Sequence, residues 1–114
     1  MTQNLAGLNG LDAYRIALDA FRRVLEVTRQ LSRAEIDQLV RAAEAVARNI
    51  AEAHAAVGAE RARKFRIALG EASECGAALD LLEIRRLVEP GALVELRGLL
   101  DRERAMLWRL SRTR

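Results

Sequence analysis

The side chains best suited to chemistry gather in one short stretch, "RNIAEAHAAVGAE", residues 48–60. This stretch holds the one histidine of the chain, His54, with Asn49, Glu52 and Glu60 close by. A histidine beside a carboxylate could transfer a proton or bind a metal ion. Glu52 and His54 are two residues apart, however, and residues at that spacing do not share a helix face. We therefore interpret His54 as a donor to the last carbonyls of a helix, and we predict neither a catalytic nor a metal site.

The composition excludes several other classes of protein. Cys75 is the one cysteine among 114 residues, so neither an intramolecular disulfide nor a CxxC metal pair can form. No apolar run approaches the ~20 residues of a membrane span, and the first residues lack the pattern of a signal peptide. We expect a cytoplasmic protein with no membrane role and no cofactor. The hydrophobic residues, 51% of the chain, are mainly Leu, Ala, Ile and Val, which indicates an all-helical fold.

Four helices are predicted from the apolar spacing and from the residues that begin and end helices. Ser32 and Glu35 fit a capping box, Gly58 is placed to cap the end of a helix, and Pro90 suits a first turn. The expected helices cover about residues 11–31, 32–54, 59–88 and 90–110. The residues expected on their core faces are Leu11, Tyr14, Leu18, Phe21 and Leu25 of the first, Ile36, Leu39, Ala43, Val46 and Ile50 of the second, Phe65, Leu69, Ala72, Gly76, Leu79 and Leu82 of the third, and Leu93, Leu96, Leu100, Leu107 and Leu110 of the fourth. Because the connections are short, we expect residues 1–114 to form one antiparallel up-down-up-down four-helix bundle, with residues 1–10 loosely ordered.

Two helices have a second apolar face, which predicts contact between subunits. One line of residues runs along the first helix at positions 13, 16, 20 and 27, and another along the third at 77, 81, 84 and 88. A helix that is apolar on two faces is usually buried on both. The alternative is that both apolar faces are buried in the core of a single protomer. The expected contact residues of a homo-oligomer are Ile16, Ala20, Leu81, Ile84 and Trp108.

Trp108 and Glu103 lie on the fourth helix and raise separate questions. Leu107 and Leu110 take the core face, so Trp108 is expected outside the protomer core, beside an arginine on either side. Either a subunit contact or base stacking would use such an indole. Glu103 falls between core positions and is expected at the core boundary, paired with a polar side chain or capped by water. A helix rotated enough to expose Glu103 is the alternative.

Basic residues are concentrated at one end of the predicted bundle. The starts of the first and third helices meet the ends of the second and fourth there, and bases outnumber acids. The net charge of the whole chain is only +3, so charge alone does not predict nucleic-acid binding. A solvated arginine-rich surface is the alternative to a binding site. The candidate nucleic-acid-binding residues are Arg61, Arg63, Lys64, Arg66, Arg109, Arg112 and Arg114.

Two segments resemble a known family. The segments "QLVRAAEAVARNIAEA", residues 38–53, and "FRIALGEASE", residues 65–74, are similar to motifs of the four-helix bundle proteins encoded in intervening sequences of 23S rRNA genes. This chain has Ala at positions 45, 47 and 53, and Glu at position 71, where the family has Ser, Pro, Gly and Ser. The polar positions that match the family motifs are Asn49, Glu52 and Glu74.

The resemblance implies an assembly and a class of partner. Proteins of this kind form ring-like homo-oligomers, often pentamers, and resemble the accessory protein of diversity-generating retroelements, which works with a reverse transcriptase and nucleic acid. We therefore expect a non-catalytic oligomer that binds RNA or another nucleic acid through its basic end, or that partners a nucleic-acid enzyme. A protein-interaction adaptor or scaffold with no nucleic-acid role is the alternative. We do not expect an enzyme, since no acid–base pair or phosphate loop is recognisable.

Overall fold

The fold of the protein is all-α in the computed structural model, which describes residues 11–112. Within this part of the chain there are four α-helices, one short 3₁₀ helix and no β-strand. The expectation for residues 1–10 falls outside the described range, as does Arg114. The helices are α1 (Asp12–Val27), α2 (Arg33–Ala55), α3 (Gly58–Ile84) and α4 (Val94–Ser111), with the 3₁₀ helix at Pro90–Leu93 just before α4.

The start of α2 follows the sequence prediction. The Ser32 hydroxyl accepts a hydrogen bond from the Glu35 backbone N–H at 3.2 Å, and the Glu35 carboxylate accepts one from the Ser32 backbone N–H at 2.9 Å. This capping box satisfies two of the N–H groups that a helix start leaves without partners. Gly58 differs from its prediction. It has a φ of +59°, a left-handed value that suits glycine, and it begins α3 instead of capping α2.

Helix α1 ends about one turn earlier than the apolar spacing predicts. It stops at Val27, and Thr28 follows with its hydroxyl donating to the Val24 carbonyl at 2.7 Å. Leu31 still packs against the core, although it lies in the connection to α2. The apolar pattern therefore continues past the helix because the connection also contributes to the core.

Helix α3 ends early for a related reason. Its last residue is Ile84, and Arg86 adopts a left-handed φ of 62°. The Leu87 N–H donates to the Leu82 carbonyl at 3.0 Å, which closes the helix end in the manner of a Schellman motif. Leu87 and Val88 pack against the core from the connection, so their apolar character does not extend the helix.

Each helix packs mainly against two others: α1 against α2, α2 against α3, α3 against α4, and α4 against α1. Three ion pairs join the later part of one helix to the earlier part of its neighbour, which is compatible with antiparallel packing. Their partners are Glu52 with Lys64, Asp80 with Arg97, and Arg23 with Glu95.

The core draws on all four helices. Most of the residues that were predicted to be buried in α2, α3 and α4 lie in it. They are Leu39, Ala43, Val46 and Ile50 of α2, Phe65, Ala72, Leu79 and Leu82 of α3, and Leu96, Leu100 and Leu107 of α4.

The residues that α1 contributes to the core are mostly small. Ile16 and Ala20 are only 6% and 4% exposed, so their predicted role as oligomer contacts is wrong. Leu25, which was assigned to the core, is 47% exposed. Alanines allow neighbouring helices to approach closely, and apolar spacing alone does not show which of two apolar faces is turned inward.

No helix in residues 11–112 is long and apolar enough to cross a lipid bilayer.

Candidate nucleic-acid interface

The side chains whose types could do chemistry either form hydrogen bonds within the protomer or are exposed at its surface. His54 is exposed in the last turn of α2, where the sequence placed it. The Asn49 amide donates to the Ala45 carbonyl of its own helix at 2.9 Å. Glu52 accepts a hydrogen bond from Lys64 at 2.6 Å, and Glu74 is exposed on α3. Two of the three polar positions of the family motifs thus make contacts within the protomer. In the described residues, no group of three or more His, Cys, Asp or Glu side chains could hold a metal ion.

Two of the predicted nucleic-acid contacts are paired with acids. Arg63 donates twice to the Glu60 carboxylate, with both distances 3.0 Å, and this guanidinium lowers the pKa of Glu60. Lys64 lies 2.6 Å from Glu52. The positive charges of Arg63 and Lys64 are therefore largely compensated within the protomer, and they contribute less to an anion site than their sequence positions suggest.

The other predicted nucleic-acid contacts differ from Arg63 and Lys64 in how their charges are surrounded. Across residues 11–112, Arg61, Arg66 and Arg112 have no carboxylate partner, whereas Arg109 makes an interaction of its own. Arg114 lies outside the described residues. Arg61 sits in the first turn of α3, where a positive charge opposes the helix dipole, so its position does not stabilise the helix.

A cleft of about 430 Å³ lies between α3 and α4 at this basic end, and we call it the Trp108 cleft. Arg66 and Leu69 of α3 form one side, and Trp108, Ser111 and Arg112 form the other. The guanidinium carbon of Arg112 lies 4.5 Å from the centroid of the Trp108 ring, within the range of a cation–π interaction. No carboxylate is among the residues that line the cleft.

Two other clefts of the protein also contain arginines, but their lining includes carboxylates. A cleft of about 450 Å³ contains Arg97 and Arg104, but Asp80 lies 3.0 Å from Arg97 and Asp101 lies 2.7 Å from Arg104. The arginines of a third cleft, of about 290 Å³, are likewise paired with carboxylates. Of these three clefts, only the Trp108 cleft presents arginines whose charge no neighbouring acid compensates.

Sequence reasoning identified Trp108, Arg112 and Arg66 but did not bring them together in one cleft. It assigned Leu69 to the core and did not single out Ser111, whose hydroxyl donates to the Trp108 carbonyl at 2.8 Å. The spacing of four between Trp108 and Arg112 is visible in the sequence. The approach of Arg66 and Leu69 from another helix is not.

Comparison with protein-family models matches residues 9–109 to the 23S rRNA-intervening sequence protein family. The chain belongs to this family. Among solved structures, it is similar to a protein of unknown function from the S23 ribosomal protein family of Bacteroides thetaiotaomicron VPI-5482, with a crystal structure at 1.70 Å resolution. The TM-score is 0.80 at 22% identity, covering 89% of this chain and 99% of that one, so the likeness is one of fold. No curated protein matches this chain.

In this member of the 23S rRNA-intervening sequence family, α3 exposes apolar residues far from the Trp108 cleft. Leu81 is 59% exposed and Ile84 is 75% exposed, both in the last part of the helix. They are two of the four residues of the second apolar face that was predicted for the third helix, whereas Val88 lies beyond the helix and packs against the core. Their exposure leaves them available for a contact outside the protomer.

Glu103 is the one position where this family member buries a carboxyl group in the core of the described residues. Its side chain is 0% exposed, and within those residues neither oxygen has a hydrogen-bond partner. The prediction that Glu103 lies at the core boundary is therefore wrong, and no protein group in residues 11–112 serves as the partner expected for it. Burial raises the pKa of Glu103 to about 8, since a charged carboxylate is poorly solvated among apolar side chains. Burial also raises the pKa of the Cys75 thiol to about 12, which leaves it unreactive near neutral pH.

Proposed function

We propose that this chain is a non-catalytic, homo-oligomeric bundle of antiparallel helices that binds RNA through its basic end. The observation that carries the proposal is the Trp108 cleft, which has arginines on both sides and no acid. Arginine guanidinium groups bind phosphate oxygens strongly and in two-pronged geometry. A cleft with this lining suits the sugar-phosphate backbone better than it suits a neutral or basic partner.

Oligomerisation would strengthen the same interaction. Each protomer offers few uncompensated arginines, so one copy alone would bind a polyanion weakly. Several copies in one assembly would present several such clefts to one RNA, and the second contact would then form at a high effective concentration. The modest net charge of +3 per chain is consistent with a local site repeated around an assembly.

The assembly is expected to use the exposed apolar face of α3. Replacing Leu81 and Ile84 with glutamate should reduce the oligomer to smaller species, because the new charges would be desolvated in a subunit contact. The protomer should keep its helicity, since both side chains are exposed. Light scattering of the wild type and the variant at the same protein concentration, on the order of tens of micromolar, measures the effect.

A matched control for this experiment is Leu25→Glu, which places a new carboxylate at another exposed leucine. We expect the control to keep the wild-type oligomer. A wild-type monomer at that concentration would exclude the proposed assembly, and equal dissociation by both variants would exclude this face as the contact.

RNA binding itself is tested by titrating wild-type protein into labelled RNA at increasing salt. Binding that depends on phosphate contacts weakens as salt rises, with a log–log slope of about −0.7 per contact for single strands. Two or three arginines per protomer therefore predict a slope of about −1.4 to −2.1 for each protomer engaged. Absence of any affinity for RNA at ~50 mM salt would exclude this function, because electrostatic binding is strongest there.

The second candidate is a protein-interaction adaptor, and the exposure of Leu81 and Ile84 favours it. In that function, the apolar face of α3 would hold a helix of another protein rather than a second copy of this chain. A wild-type monomer that does not bind RNA at low salt would support the adaptor. A salt-dependent RNA complex of an oligomer would exclude it.

A further inference from the structure

We propose that the Trp108 cleft holds an unpaired nucleotide, with its base against the indole and its phosphate between Arg66 and Arg112. The protein would then select single-stranded over double-stranded RNA. This inference rests on the proposed RNA binding and specifies which form of RNA occupies the site.

The residues that line the cleft suit a ligand with an apolar part as well as a phosphate group. A phosphate group alone needs cationic donors, which Arg66 and Arg112 supply. The same cleft also includes Leu69 and an indole that is 52% exposed, and these apolar surfaces gain nothing from a phosphate. An unstacked base uses both kinds of surface at once, because its ring stacks on an aromatic side chain while its phosphate reaches an arginine.

The position of Arg112 prepares the indole for this use. Its guanidinium lies over the ring of Trp108 at 4.5 Å, and the Ser111 hydroxyl is bonded to the Trp108 carbonyl. The pair places a guanidinium group and an aromatic ring together at the end of α4. Flat aromatic and guanidinium surfaces are the ones on which proteins stack splayed-out bases of single-stranded RNA.

A second copy of this chain is a poorer occupant of the cleft than RNA. A subunit contact there would remove Arg66 and Arg112 from water, and no acid in the cleft compensates them. Burying uncompensated guanidinium groups against a protein surface is costly unless the partner supplies carboxylates. Trp108 is thus assigned to ligand binding, and the exposed residues of α3 are left for assembly.

The lining also argues against a duplex. Bases inside a double helix are stacked on their neighbours and cannot enter a cleft between two helices without being flipped out, which costs energy. A duplex can place only its phosphates near the arginines. Single-stranded RNA should therefore bind more tightly than a duplex of the same sequence, by the contribution of base stacking.

Trp108 is the one tryptophan of the chain, so its fluorescence reports directly on the cleft. The experiment titrates wild-type protein with three ligands of equal length: single-stranded RNA, the same strand in a duplex, and a single strand of abasic sugar-phosphate. We expect single-stranded RNA to quench the fluorescence and to bind about tenfold or more tightly than the abasic strand. The duplex and the abasic strand should bind without strong quenching.

Variants separate stacking from charge. Trp108→Ala should weaken binding of single-stranded RNA to the level of the abasic strand, and Trp108→Phe should retain part of the difference. Binding of the abasic strand should not change in either variant, because both keep Arg66 and Arg112. The half-exposed position of Trp108 makes both variants compatible with the fold, which circular dichroism checks.

The outcomes distinguish this inference from the proposed function. Equal affinity for all three ligands without quenching would overturn the nucleotide cleft and leave charge-based RNA binding intact. Tighter binding of the duplex would also overturn it. If none of the three ligands binds at low salt, both the nucleotide cleft and the RNA-binding function are excluded.

Discussion

Replacing Glu103 with leucine is expected to stabilise the protein by about 3–5 kcal/mol at pH 7. In the folded protein, the carboxyl is fully buried with no hydrogen-bond partner in residues 11–112, and its pKa is raised to about 8. In the unfolded chain, the same group ionises freely in water. Leucine removes this difference and fills a core position between Leu100 and Leu107 with an apolar side chain. Urea unfolding of both proteins at one protein concentration measures the gain.

The same carboxyl makes stability depend on pH. The folded pKa lies above the unfolded value of 4.5, so folding favours the protonated form. The part of the folding stability that depends on a protonated Glu103 is fully present below about pH 4.5 and is lost progressively as the pH rises. Above about pH 8 it stays lost. A shift of this size corresponds to roughly 5 kcal/mol in total. The stability difference between Glu103→Leu and the wild type should therefore grow between pH 5 and pH 8.

Taking the difference between the two proteins removes the contribution of other carboxylates, such as Glu60, whose lowered pKa acts in the opposite direction. A suitable control is Glu74→Leu, which makes the same replacement at an exposed glutamate on α3 and should not stabilise the protein by a comparable amount. If Glu103→Leu destabilises the protein, or if its advantage is the same at pH 5 and pH 8, Glu103 is not a neutral, unpartnered core residue.

The second large effect concerns RNA. Reversing the charges of Arg66 and Arg112 to glutamate should lower the affinity for single-stranded RNA by at least about a hundredfold at ~50 mM salt. The two changes replace the cations on both sides of the Trp108 cleft with groups that repel phosphate. The remaining affinity should also depend less on salt, since fewer counterions are released. Fluorescence anisotropy with labelled RNA measures both quantities.

The matched control is the double variant Arg29→Glu and Arg33→Glu. It changes the net charge by the same amount, and both arginines are exposed outside the lining of the Trp108 cleft, Arg29 in the connection between α1 and α2 and Arg33 at the start of α2. We expect a much smaller loss of affinity from the control, and an unchanged oligomer in both double variants. Equal losses would show that binding follows overall charge and has no specific site at the Trp108 cleft.

The parts of the fold that depend on neighbours along the chain could be predicted from the sequence. The capping box of Ser32 and Glu35 involves residues three positions apart and formed as expected. The pairing of Arg63 with Glu60 has the same spacing and could have been recognised in the same way. Such contacts are set by helix geometry, which the sequence specifies directly.

The parts that depend on packing between helices could not be predicted in this way. Helix α1 has two apolar faces, and the one with small residues entered the core, so Ile16 is buried and Leu25 is exposed. The surroundings of Glu103 are likewise set by how α4 is rotated against its neighbours. Lys64 is compensated by Glu52 from another helix, a contact between residues twelve positions apart.

The Trp108 cleft shows the same division between contacts along the chain and contacts between helices. Arg112 caps the end of α4 four residues after Trp108, so the contact between them involves neighbours along the chain. The acid-free character of the cleft depends on Arg66 and Leu69 approaching from α3. Among the predicted basic residues, the spacing in the sequence could indicate that the charge of Arg63 is compensated by Glu60. It could not indicate the same for Lys64, because Glu52 approaches from another helix.

RNA binding at the Trp108 cleft is tested most directly by crosslinking bound RNA to the wild-type protein with ultraviolet light and mapping the crosslinked residues by mass spectrometry. This measurement shows at once whether RNA binds and where. We predict crosslinks at Trp108 and at neighbouring positions in residues 61–69 and 108–112, which form the two sides of the basic end. Crosslinks confined to the connection around Arg29 and Arg33, or to the face with Leu81 and Ile84, would contradict RNA binding at the Trp108 cleft. So would a failure to recover any crosslinked RNA at low salt.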